Sequence, residues 1–233
     1  EKTEKPVLKK HHFSLLKDLQ ENNLAKVQMS DRIRSLDTFT GIKNYDLPPG
    51  FLGELRPYQK VGYNWLRFLN EFSLGGCLAD DMGLGKTVQT LALLKWESQK
   101  EDPGTSLIIM PTSLIYNWEM EATKFAPGLK LLNYTGSNRK KDVTGFGRYD
   151  VVITSYGITR LDSELLQRFR FNYIILDESQ VIKNPSSNIA KAVMLLQSRY
   201  KLTLTGTPLE NTTMDLWSQM NFINPGLLGA QTF

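Results

Sequence analysis

From Phe51 onward, short and continuously apolar runs alternate with stretches of helical periodicity, and no other feature limits the fold as much. The strands expected from this pattern cover residues 75–79, 107–110, 130–134, 151–154, 173–176 and 201–204. The expected helices cover residues 59–69, 87–96, 114–125, 159–169 and 188–196. A strand that is apolar at every position is buried on both faces, and an intervening helix lets successive strands run parallel. The fold class is therefore α/β, a doubly wound and mostly parallel sheet flanked by helices. Such sheets hold ligands at the carboxyl ends of their strands, so the chemistry is to be sought just after each apolar run.

The rest of the chain narrows the class further. Residues 1–50 read as an N-terminal extension in which Leu15, Leu16, Leu19, Leu24 and Val27 predict one or two short amphipathic helices. Asp46-Leu47-Pro48-Pro49-Gly50 breaks any helix and marks the expected boundary, with residues 51–233 as the main domain. The single cysteine, Cys77, excludes an intrachain disulfide framework and a Cys-rich zinc site. It fits a reducing compartment, cytoplasmic in a bacterium or nuclear in a eukaryote. No apolar run approaches the roughly 18 residues of a membrane span, so no membrane partner is expected. A net charge of +4 is compatible with a nucleic-acid binder without announcing one. The chain opens on Glu1 rather than Met, and is expected to be processed or a fragment.

After the first expected strand stands Asp80-Asp81-Met82-Gly83-Leu84-Gly85-Lys86-Thr87, and then a helix. This is the phosphate-loop pattern GxxxxGK(S/T) with Asp80 in place of its first glycine. Gly83 and Gly85 let the backbone curl, so that N–H groups of the Asp81, Met82, Gly83 and Gly85 stretch converge on a phosphate. Lys86 neutralises phosphate charge, and the Thr87 hydroxyl is a ligand for Mg²⁺. ATP and Mg are the expected cofactors. After the strand at 173–176 comes Asp177-Glu178-Ser179-Gln180. Two like charges leaving a buried strand are costly for stability and useful for chemistry. Asp177 is expected to hold the Mg²⁺ shell, and Glu178 to orient and deprotonate an attacking water. Trp118 is read as core packing, His11 and His12 as surface residues, and the basic run from Ser137 to Lys141 with Arg148 as a solvated loop.

In this order the motifs resemble the first RecA-like lobe of superfamily-two helicases, and among them the Swi/Snf-type ATPases. The run from Ala79 to Thr90 carries the resemblance, with Leu55-Arg56-Pro57-Tyr58-Gln59-Lys60 upstream and Leu204-Thr205-Gly206-Thr207-Pro208-Leu209-Glu210-Asn211 downstream. Asp215-Leu216-Trp217 and Asn224-Pro225-Gly226-Leu227-Leu228-Gly229 extend it. The resemblance implies that Gln59 recognises adenine and that Gln180 acts with the acidic pair, where the family more often has His. It implies that Pro111, Thr112, Ser113, Thr154 and Ser155 contact a nucleic-acid backbone. Thr205, Gly206 and Thr207 would couple nucleotide state to that grip. The function implied is Mg-ATP hydrolysis driving translocation on double-stranded DNA, gripped through its backbone without base specificity. A second RecA-like lobe of the same full-length chain is the implied partner, and without it this lobe would be nearly inactive. Two alternatives stay open: a strand-separating DNA or RNA helicase, and a nucleotide-binding interaction module that does not hydrolyse.

Overall fold

A computed structural model describes residues 40–207 and 213–228 of the chain. The helices expected in the first 39 residues, His11, His12, the run from Pro208 to Asn211, and Gly229 lie outside the described residues. The apolar runs form β1 (Gly76–Leu78), β2 (Ser106–Met110), β3 (Leu131–Asn133), β4 (Val151–Ser155), β5 (Arg170–Asp177) and β6 (Gln197–Leu204). They make a six-stranded sheet in the order β1-β6-β5-β2-β4-β3, with every pair parallel. The helices are α1 (Pro57–Phe72), α2 (Lys86–Glu97), α3 (Ile115–Phe125), α4 (Tyr156–Leu161), α5 (Ser163–Leu166), α6 (Asn188–Met194) and α7 (Thr213–Ile223).

Strand periodicity sorts the core into two layers. Ile108, Met110 and Ile175 face one side, where they meet Leu66 and Leu69 of α1, Leu91 and Leu94 of α2, and Trp118 of α3. Their neighbours Leu107, Ile109, Ile174 and Leu176 face the other side and meet Tyr156 of α4, Leu166 of α5, Val193 of α6 and Phe222 of α7. Each such side chain contributes about 1.5–3 kcal/mol on burial, so both faces of the sheet must be covered. The doubly wound arrangement expected from the sequence is the one observed.

Three departures have local causes. β6 starts at Gln197, four residues before the apolar run, because its backbone pairs with β5 from Arg170↔Gln197 to Asp177↔Leu204. Parallel pairing recruits residues whose side chains give no strand signal, and α6 ends correspondingly early at Met194. The helix expected over residues 159–169 is broken at Asp162, whose φ of −109° and ψ of 22° leave the helical region. Its carboxylate accepts from Arg139 Nε at 2.7 Å and from Tyr134 Oη at 2.8 Å. Arg139 is thus a buried ion-pair partner and not a residue of a solvated loop. Finally, α7 lies outside the helices expected from the sequence, because its buried face includes Ser218 and Gln219. Ser218 donates to the Ile182 carbonyl at 2.6 Å, and Ser179 donates to Gln219 at 2.5 Å, so polar bonds stand where periodicity looks for apolar residues.

The segment just before Phe51 lies along α1. Tyr45 donates its backbone N–H to Asn64 and its hydroxyl to Glu71, and Tyr63 donates to the Asp46 carbonyl.

Candidate active site

The sheet order puts β1, β6 and β5 side by side, and their carboxyl ends carry the phosphate loop, Thr205-Gly206-Thr207 and Asp177-Glu178 respectively. These segments, far apart in sequence, share one edge. A Cβ added at Gly206 would stand 3.2 Å from Met82 Cγ, so the turn after β6 touches the phosphate loop directly.

Gly83 and Gly85 have φ of 77° and 83°, the left-handed region that glycine enters freely. Gly85 is the N-cap of α2, and a Cβ there would lie 2.4 Å from Gln59 Nε2. The loop therefore needs glycine for its curl and for its contact with α1. Gln59 completes that contact by donating to the Leu84 carbonyl at 3.0 Å and accepting from the Arg56 N–H at 2.9 Å. Lys86, the first residue of α2, donates its ammonium to the carbonyls of Asp80 at 2.7 Å and Asp81 at 3.1 Å. Thr87 follows, half-buried at the helix N-terminus, while Asp81, Met82 and Gly83 are exposed. A residue without an expected role, Gln89, donates to the Asp80 carboxylate at 2.9 Å from a fully buried position on α2. A polar side chain on an otherwise apolar helix face was the available signal.

Asp177 is 7% exposed. Burial raises its carboxyl above the usual range, against hydrogen bonds from Trp118 and the Glu178 N–H that favour the charged form. The neighbouring Glu178 charge raises it further, and Lys86 lowers it, which places the phosphate-loop lysine within electrostatic reach. Trp118 Nε1 donates to Asp177 Oδ2 at 2.8 Å, and the Glu178 N–H donates to Oδ1 at 2.9 Å. Trp118 is core packing as expected and a hydrogen-bond donor as well. Glu178 has a φ of 50°, a left-handed conformation that costs a non-glycine residue about 1–3 kcal/mol and is typically kept at functional sites.

Gln180 bridges two of the strand ends. Its Nε2 donates to Glu178 Oε2 at 2.7 Å, and its Oε1 accepts from Thr205 Oγ1 at 3.0 Å. Thr205 Oγ1 in turn accepts from the Thr207 N–H at 3.0 Å. The turn after β6 and the acidic segment are thus joined by a continuous chain of hydrogen bonds. Thr205 is fully buried and Thr207 is exposed, so the chain runs from inside the protein to its surface.

The segments expected at a nucleic acid lie just after β2 and at the end of β4, on the other side of β5. Thr112 and Ser113 are exposed on a short 3-10 turn that leads into α3, with Pro111 partly exposed before them. Thr154 and Ser155 differ. Thr154 is fully buried and donates to the Tyr134 carbonyl at 2.8 Å, and Ser155 caps α4 by accepting from the Ile158 N–H at 3.2 Å. Their position at the end of β4 is as expected, but their hydroxyls are engaged within the fold, and Gly157 is the exposed residue of that segment. Tyr156 between them donates to the Asp177 carbonyl at 2.8 Å.

A model of the SNF2-related domain matches residues 58–233. The chain belongs to that family. YwqA of Bacillus subtilis is 42% identical over 211 residues, which are 88% of this chain and 23% of YwqA. Helicase SWR1 of Eremothecium gossypii is 43% identical over 206 residues, 86% of this chain and 14% of SWR1. The fold matches the Sulfolobus solfataricus SWI2/SNF2 ATPase core, solved in complex with dsDNA, with a TM-score of 0.75 and 44% identity. That match covers 81% of this chain and 39% of the solved one. The SNF2-related domain described here thus spans less than a quarter of each of these two curated relatives, and its sheet is RecA-like.

The side chains of this SNF2-related domain suit a magnesium ion held jointly with phosphate. Among the described residues no group of three or more His, Cys, Asp and Glu converges on a metal-sized site. Mg²⁺ is commonly held by one or two protein oxygens together with substrate phosphates and water. Asp177, a buried carboxylate within reach of the Lys86 charge, and the Thr87 hydroxyl at the start of α2 are hard oxygen donors of that kind.

Proposed function

We propose that this chain is the nucleotide-holding lobe of a motor that couples Mg-ATP hydrolysis to translocation along double-stranded DNA and remodels DNA-bound proteins. The observation that carries the reading is the meeting of three segments at adjacent strand ends: the phosphate loop, Asp177-Glu178 and Thr205-Gly206-Thr207. The SNF2 membership and the dsDNA in the Sulfolobus complex support it.

In this reading Lys86 turns from the carbonyls of Asp80 and Asp81 to the phosphates, which also face the positive end of the α2 dipole. Thr87 and Asp177 would hold magnesium, which when bound would supply charge neutralisation at the phosphate oxygens. Glu178 orients the attacking water and takes its proton, and the Gln180 amide fixes the carboxylate that does so. Gln59, locked between Arg56 and Leu84, borders the loop where the adenine would be recognised. The exposed Thr112 and Ser113 contact the DNA backbone, a kind of contact that positions the protein without reading sequence. A second RecA-like lobe of the full-length protein supplies the arginines that stabilise charge on the transferring phosphoryl group.

ATP turnover by the full-length protein, measured with and without duplex DNA, tests the reading. Strong stimulation by duplexes of unrelated sequence is expected. Turnover indifferent to duplex DNA would overturn it, and strand separation of matched DNA or RNA substrates would replace it with a helicase. The 233-residue chain alone is expected to hydrolyse ATP near background; turnover equal to that of the full-length protein would refute the need for a second lobe.

A further inference from the structure

Two buried aromatic residues outside the motifs' expected roles converge on Asp177. Trp118 donates to its carboxylate and Tyr156 to its carbonyl oxygen, each at 2.8 Å. Trp118 lies on α3 immediately beyond the Thr112–Leu114 turn, and Tyr156 opens α4 immediately after Ser155. The segments after β2 and β4 therefore each send one aromatic donor to the same acidic residue.

The Trp118 bond is the more specific of the two. An indole N–H can only donate, and at 1% exposure it has no water to turn to. Together with the Glu178 N–H on Oδ1, it occupies one acceptor direction on each carboxylate oxygen and so fixes the plane of the group. The remaining lone pairs are left for a cation. A ring needed only to fill the space among Ile108, Met110 and Ile153 would not require a nitrogen aimed at a carboxylate.

We propose that Trp118 is a positioning residue for the metal-holding carboxylate, setting the orientation in which Asp177 accepts magnesium and fastening it to the helix behind the Thr112–Ser113 turn. The proposal rests on Asp177 being a magnesium ligand. Hydrogen-bond partners of metal ligands generally matter in this way, and their removal typically costs about 10–100-fold in metal affinity.

The test uses the full-length protein and a fluorescent ATP analogue, with binding titrated against Mg²⁺ and measured separately in EDTA. Trp118 is replaced by 3-benzothienylalanine, which keeps both rings and exchanges the N–H for sulfur, and in a second variant by Phe (Trp118→Phe). The Mg²⁺ concentration giving half-maximal binding is expected to rise about tenfold or more in both, with the affinity in EDTA unchanged. A purely structural role would lower both affinities together. Asp177→Asn is measured in parallel and is expected to abolish the Mg²⁺ enhancement. If Asp177→Asn does so while the benzothienyl variant keeps the wild-type Mg²⁺ dependence, the positioning role is overturned and the metal reading survives. If Asp177→Asn itself keeps the enhancement, the metal reading fails and the proposal falls with it. Should Trp118→Phe not fold, the benzothienyl variant decides alone.

Discussion

Thr205 donates its hydroxyl to Gln180 Oε1 at 3.0 Å, joining the end of β6 to the turn after β5. The bond has a forced direction. Gln180 must turn its NH₂ toward Glu178, because a carboxylate only accepts, and this leaves its oxygen for Thr205. Thr205 then has one lone pair for the Thr207 N–H. A displacement of Thr207 at the surface is therefore expected to reach the carboxylate proposed to handle the attacking water.

Thr205→Val keeps the shape of the side chain and removes both bonds. Half-buried Gln180 Oε1 would lose its donor, at a cost of about 0.5–1.5 kcal/mol. In the full-length protein nucleotide affinity should hold while stimulation of ATP turnover by duplex DNA falls. A ratio of stimulated to basal turnover equal to wild type would dismiss the relay.

Glu178→Gln leaves the size of the side chain and takes away its basicity. A positioned general base contributes about 10²–10⁴-fold, so single-turnover hydrolysis should fall by that order with ATP binding intact. Equal losses in binding and hydrolysis would point to a collapsed turn.

The Arg139–Asp162 pair predicts a pH dependence remote from the nucleotide. The hydrogen bond from Arg139 holds the Asp162 carboxyl below the usual carboxylate range, outweighing burial, which raises it. Its folded value is thus below the unfolded value of about 3.9, so its stabilisation is present above that pH and is lost as pH falls through the folded value. Arg139→Met leaves a buried carboxylate with Tyr134 at 2.8 Å and the Lys141 ammonium at 3.9 Å as its partners and should cost about 1–3 kcal/mol at neutral pH. The acid-unfolding midpoint should move upward in the variant. Denaturant melts across the acid range check both, and a deficit that stays constant down to the acid transition would rule out the linkage.

Gly62→Ala sets two effects against each other. Alanine favours helix over glycine by about 1 kcal/mol, but its Cβ would fall 1.8 Å from Gln89 Oε1. Gln89 is fully buried and holds Asp80, so it cannot yield without loosening the phosphate loop. Net destabilisation of about 1–3 kcal/mol is expected, with weaker nucleotide binding. Calorimetry with a nucleotide titration measures both, and a stabilised variant that binds normally would show that the contact gives way.

The strands β2 and β4 were legible because every residue in them is buried, and the phosphate loop because its glycines, lysine and threonine are adjacent in sequence. The extension of β6 to Gln197 was not legible, since backbone pairing with β5 creates it without side-chain pattern. Nor was α7, whose buried Ser218 and Gln219 find partners at the turn after β5.

By itself the sequence determined which groups can do chemistry: a curled glycine loop ending in Lys86 and Thr87, and the carboxylates of Asp177 and Glu178 at a strand end. Those signals are local, because phosphate loops and strand ends are built from neighbouring residues. Only the tertiary structure decided their company. Trp118 reaches Asp177 across 59 positions, and Thr205 reaches Gln180 across 25, because β1, β6 and β5 are neighbours in the sheet and α3 packs over it. Strand order is settled by the burial of two whole layers at once, and no single stretch of sequence carries that information.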